Sequence, residues 1–280
     1  MSSIISKLEK LDRRIIYVVL IIAVIVVLLR PVGLPVPINV STKRYYDAIS
    51  NLPAGSRVLF GVEFDAGAMA ELGPMFEATF RLLLKSNVKF VMSSLWSGGP
   101  AMAQIYMNRL KSVIDSSGKR YGQDYALTPY LAGGETASAA MAKDFKSIVK
   151  NDFFGADVNS VPVLKDMKDA KDFSLVIVIT AGTPGVEEYL RQWVSPYNSA
   201  MIVGALGVST PTYIPYYNAG QIKGMLQGLR GAAELELMLG APSAAVSSMD
   251  ALSAGHLVVV VFIILGNIMF LLDKYRPKEK

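Results

Sequence analysis

Residues 175–180 read Leu-Val-Ile-Val-Ile-Thr, six residues without a charge or a turn former. The run is β-branched and continuously apolar rather than alternating. That is the pattern of a strand buried on both faces, and so of the interior of a parallel sheet. Val88–Met92 (VKFVM) has the same character. Working outward, further strands are expected at 57–64, 125–131 and 200–206, with the second running 88–93. Helical periodicity falls between them, at 41–52, 74–85, 100–115, 136–150 and 184–194, and a last helix is expected over 220–239. In the third of these, Met102, Tyr106, Leu110 and Val113 recur at the spacing of one helix face.

Alternating strands and helices predict an α/β fold, a Rossmann-like three-layer domain with a mostly parallel five-stranded sheet. A flavodoxin-like strand order, 2-1-3-4-5, is the expectation. In general architecture this resembles a Rossmann-like or periplasmic-binding-protein half-domain, and no motif points to one family. The stretch 151–172 is less regular, with a short helix expected around 165–171.

Two apolar segments flank this block. Ile15–Leu29 holds fifteen apolar or aromatic residues, and Leu257–Leu272 is apolar on every side, with 251–256 able to lengthen it. As a helix the first would run roughly 22 Å, short of a ~30 Å hydrocarbon core, with Arg13, Arg14 and Arg30 placed to snorkel. No small-residue cleavage pattern follows it, which favours an anchor over a signal peptide. The expected organisation is a tail at 1–14, a transmembrane helix at 15–30, a Pro-rich stem at 31–40 and an α/β domain at 41–250. A second transmembrane helix at 251–272 and a tail at 273–280 complete it. Lys7, Lys10, Arg13 and Arg14 precede the first span; Lys274, Arg276, Lys278 and Lys280 follow the second. By the positive-inside rule both termini are expected in the cytoplasm and the domain outside it.

Hydrophobic residues make up 52% of the 280, charged ones 18%, and mean hydropathy is +0.37. This fits a domain carrying a few membrane segments rather than a polytopic bundle. The net charge of +5 belongs to the flanks. Removing five basic and two acidic residues in 1–30, and four and two in 256–280, from totals of 28 and 23 leaves 19 of each between the spans. A nucleic-acid partner is therefore not expected. There is no cysteine and one histidine, His256, which argues against disulfides, thiolate metal sites and a Ser-His-Asp triad. No metal or cofactor is expected.

Candidate ligand-binding residues lie where a parallel sheet places them, beyond the carboxyl ends of the strands. Glu63 and Asp65, two apart at the end of the first strand, are a potential acid–base or cation-binding pair. Gly98 and Gly99, Gly133 and Gly134 with Glu135 and Thr136, and Gly182 with Thr183 stand just before helices, where free backbone N–H groups can hold an anion. None matches a Walker A or full GxGxxG pattern. The same residues also suit the turns and caps that every strand–helix junction needs.

Candidate interface residues are Tyr213, Tyr216 and Tyr217 in the 210–218 loop, and a small-residue stripe, Gly220, Gly224 and Gly228, on the expected last helix. Asn267 in the second span is a polar amide suited to pairing with another helix. Three functions are expected, in this order. The first is a non-catalytic membrane subunit assembling with copies of itself or other membrane proteins. The second is an extracytoplasmic small-ligand-binding or sensory domain; the third is a hydrolase or transferase using Glu63, Asp65 or Glu135.

Overall fold

The computed structural model describes residues 12–30, 33 and 36–275. Lys7, Lys10, Arg276, Lys278, Lys280 and residues 31, 32, 34 and 35 of the 31–40 stem lie outside the described residues. The chain divides into two compact units, one spanning Val36–Ala245 and one built from the terminal segments.

In the central unit, α2 (Val40–Ser50) precedes β1 (Arg57–Glu63), α3 (Met69–Lys85), β2 (Lys89–Ser94), α4 (Gly99–Arg109), α5 (Lys111–Ser117) and β3 (Tyr125–Tyr130). Then come α6 (Glu135–Lys143), α7 (Phe145–Ile148), β4 (Leu175–Thr180) and α8 (Val186–Tyr189), which runs on through a π turn at Leu190–Val194. β5 (Met201–Ala205), α9 (Thr210–Asn218), β6 (Gly224–Gln227) and α10 (Gly228–Met238) close the unit.

The sheet has six strands in the order β3-β2-β1-β4-β5-β6, and all five pairings are parallel. This corrects the five-stranded 2-1-3-4-5 expectation. The long 131–174 connection returns the chain from the β3 edge to the far side of β1, so the halves β1–β3 and β4–β6 diverge from the centre. β4, the LVIVIT strand, is buried at every position between β1 and β5.

Two apolar layers cover the sheet. On one face Leu59, Val91, Val176 and Val203 meet Met141, Phe145, Tyr189 and Trp193. On the other a chain of rings runs from Phe60 through Phe76 and Phe80 to Phe90 and Tyr125, with centroids 5.0–5.8 Å apart at each step. Each such contact adds roughly 0.5–1.5 kcal/mol beyond its buried area.

The expected last helix is the main error in the secondary-structure reading. Gly220 sits in a turn, Gly224 starts β6 and Gly228 starts α10, so the stripe does not lie on one helix. Gly224 has a local reason: a Cβ there would lie 2.4 Å from the Tyr45 backbone nitrogen, so α2 can cover the sheet's edge only over glycine. Gly228 has φ +59 and would place a Cβ 2.8 Å from Glu71 Oε1. The tyrosine loop is also a helix, α9, and its 213, 216, 217 spacing turns Tyr213 inward at 4% exposure. Tyr216 and Tyr217 pack half-buried against the same core.

In the terminal unit, α1 (Arg13–Leu29) is capped by Asp12, whose carboxylate accepts from Arg14 N at 3.0 Å. α11 (Ala244–Lys274) is 31 residues long. Its Ala244–Leu272 portion is the one helix among the described residues long and apolar enough to cross a membrane. The two helices touch at Gly255, where a Cβ would lie 3.7 Å from Leu20 and 3.8 Å from Val24. Asn267 uses its amide within its own helix, donating to Ile263 O at 2.8 Å.

Candidate functional site

β1 and β4 pair in parallel at the centre of the sheet, and the chain leaves their carboxyl ends toward opposite edges, so the carboxyl edge there is the expected ligand crevice. Its central residue is Glu63, the last of β1 and fully buried. Tyr189 Oη donates to its Oε1 at 2.8 Å; Leu95 N and Ser94 Oγ donate to its Oε2 at 2.7 and 3.3 Å. Burial pushes the Glu63 carboxyl up to about 8, against the opposing pull of these hydrogen bonds. Burial, then the neighbouring Glu63 charge, raises the Tyr189 phenol. Asp65 does not join Glu63. It is exposed beyond the strand and caps the following turn by accepting from Gly67 N at 2.9 Å.

The crevice is roofed by the protein itself. Trp96, from the β2 loop, donates Nε1–H to Pro184 O in the β4 loop at 2.7 Å, crossing the end of β1. Gly182 lies below this indole, 3.9 Å from Trp96 measured from an added Cβ. Gly99 is a wedge position: a Cβ would meet Val62 O at 2.2 Å, so α4 starts directly against β1. A Cβ added at Gly98 would lie 2.8 Å from the Asp65 Cβ.

Of the backbone donors read as an anion cradle, Gly99 N donates to Trp96 O at 3.1 Å, and Gly182 N and Thr136 N also have partners. Three other donors at this edge, outside the candidate set, are held by the chain's own carboxylates. Gly185 N, at the start of α8, donates to Glu188 Oε2 at 2.6 Å. Gly207 N, after β5, donates to Glu71 Oε1 at 2.6 Å. Asn39 N, before α2, donates to Glu234 Oε2 at 3.0 Å. Gly182 N donates to Thr180 Oγ1 at 3.0 Å, and Thr136 N donates to Gly133 O at 3.1 Å. Thr183, in a cis peptide bond to Pro184, is exposed. Gly133 and Gly134, with φ +119 and +55, form the turn into α6.

Glu135 is committed elsewhere. Arg191 Nε and Nη2 bind its two oxygens at 2.8 and 2.9 Å, and Gln192 Nε2 adds a third bond at 2.8 Å. These bonds hold the Glu135 carboxyl down at about 2. The sheet edge therefore brings the ten candidate ligand residues to one end of the domain, but divides them into a buried acid, caps and ion pairs.

The sequence reading missed a second feature at this edge. Beyond β5 and β6 lies a cavity of about 250 Å³, lined by Asn39, Thr42, Gly207, Gln227, Arg230 and Glu234 among others. Glu234 is 1% exposed and accepts from Thr42 Oγ1 at 2.5 Å and Arg230 Nε at 2.8 Å. The i, i+4 spacing of Arg230 and Glu234 is visible in the sequence, but it reads equally well as a solvated helix face. Among the described residues no group of three or more His, Cys, Asp or Glu side chains is placed to hold a metal ion. No family model, curated protein or solved structure matches the chain.

Proposed function

We propose that the chain is a non-catalytic, membrane-anchored subunit whose α/β domain mediates assembly of a membrane protein complex, with copies of itself or with other subunits. The observation that carries this reading is the self-completed carboxyl edge of the sheet. Glu188 and Glu71 hold Gly185 N and Gly207 N, backbone donors in the junctions after β4 and β5 of the kind that a nucleotide-binding sheet would offer to phosphate. Glu63 and Glu234 likewise hold Leu95 N and Asn39 N. The Trp96–Pro184 contact crosses the central crevice. A buried acid with no exposure is poorly placed to exchange protons with a substrate.

α11 supports anchoring in a membrane, and α1 is proposed as a second span. α1 is 17 residues, about 25 Å of helix, and it lies against α11 within one unit. Its other faces are apolar and exposed, as at Ile21, Ile22 and Val26. The basic flanks then orient both termini to the cytoplasm and the domain outside.

Amine-reactive crosslinking of intact membranes tests the assembly. The expected result is a discrete crosslinked species of fixed composition; a chain that remains uncrosslinked under conditions that trap known complexes contradicts the proposal. The cavity beyond β5 and β6 supports a second reading, a site for a small polar molecule. Stabilisation by a polyol or amino acid, lost in Thr42→Val and Arg230→Gln, would favour it.

A further inference from the structure

At the opposite, amino end of the sheet a groove of about 370 Å³ runs between α5 and the turn that enters β3. Its floor is apolar, from Met107 and Ile114, and one wall carries Tyr121 and Tyr125, packed edge to face with centroids 5.5 Å apart. Lys111, Lys119 and Arg120 line it, and Lys89, at the start of β2, adds its field to that of Lys119.

Asp124 acts on Lys119 as an opposing charge, ahead of the like charge of Lys89, so four cations face two carboxylates, Asp115 and Asp124, at this groove. Among the described residues none of the four cations takes part in an ion pair. Lys119 is pinned by donating to Val88 O at 2.7 Å. The turn that presents Arg120 is closed on itself: Asp124 Oδ2 accepts from Arg120 N at 2.8 Å, which fixes that carboxylate and leaves its charge in place. Asp115 is the one carboxylate on the lining. The sequence between the membrane segments has equal numbers of acidic and basic residues, so this excess is a local arrangement.

We infer that this groove is a docking surface for an acidic peptide segment of a partner subunit. The inference rests on the assembly reading and names the kind of partner. Charge complementarity supplies selection and orientation, while Tyr121, half-buried and braced from behind by the buried Tyr125, offers rigid, partly apolar area to a chain lying along the groove.

The test uses the full chain purified in mild detergent and a fluorescein-labelled hexaglutamate peptide, with hexaglutamine as the uncharged control. Binding is read by anisotropy. Hexaglutamate should bind, more weakly as salt shortens the screening length from about 8 Å at 0.15 M toward about 3 Å at 1 M, and hexaglutamine should not. The double change Lys111→Glu with Arg120→Glu should weaken binding at least tenfold. Lys43→Glu with Lys165→Glu, equal in charge but elsewhere on the domain, should leave it within about twofold. Equal loss in both double variants, no hexaglutamate binding, or preference for phosphatidylserine-containing vesicles over the peptide would each overturn the proposal. Melting temperatures of the variants check that the fold is intact. A complex that forms but survives Lys111→Glu with Arg120→Glu overturns this surface alone; a chain found without any partner overturns the assembly reading, and the peptide titration then decides the groove by itself.

Discussion

Glu63 shows how a single residue can be found in the sequence and still be misread. Its position at the end of a central strand is legible, and so is its acidity. Its partners are not, because Leu95 and Tyr189 come from elements 32 and 126 residues away. The fold holds its carboxyl near 8, above the unfolded value of about 4.3. The neutral acid is thus favoured by folding: its contribution is fully present below about pH 4.3 and is lost as pH rises through 8. The melting temperature of the detergent-solubilised chain should therefore fall between pH 5 and 9, by the equivalent of a few kcal/mol, and Glu63→Gln should flatten that dependence. A pH profile that is the same with and without Glu63 would contradict the assignment. Glu135 should behave differently. It is solvent-accessible and paired with Arg191 at the surface, so Glu135→Gln should shift the melting temperature far less than Glu63→Gln changes its pH dependence.

Among the elements, the strands with strong β-branched runs were legible to within a residue or two; Leu175–Thr180 is found at its expected bounds. β6 was not. Gly-Met-Leu-Gln has no β-branched residue, and its glycine stands at an i, i+4 repeat that mimics a helix face. What makes it a strand is pairing with β5 and cover by α2, both beyond local sequence. Glycines at this edge should therefore differ in cost. Gly224→Ala drives a Cβ into the Tyr45 backbone and should destabilise by about 1–3 kcal/mol. Gly220→Ala meets open space and bears only its positive φ, about 1 kcal/mol. Reversal of that order in thermal melts would contradict the described packing. The junctions make a related prediction. Phosphate and chloride at equal ionic strength should give the same melting temperature for the native chain. Glu71→Ala, which vacates Gly207 N at the start of α9, should gain stabilisation by phosphate of about 1 kcal/mol or less.

For the whole molecule, the sequence yielded the α/β class and the apolar termini because both are patterns of composition and period. Strand order and the self-filled junctions depend on long-range contacts, and composition does not encode them. The proposed topology can be tested cleanly because the chain has no native cysteine. In intact cells, a membrane-impermeant maleimide should label Lys165→Cys and spare Ser2→Cys and Glu279→Cys; labelling of the termini instead would invert the orientation. The central claim is assembly, and the most direct measurement is the protein mass of the mild-detergent extract by light scattering with the detergent contribution subtracted. The account predicts a defined mass above the 30.3 kDa of one chain, either a multiple of it or a fixed sum with partner subunits. A homogeneous particle of 30.3 kDa protein would contradict it.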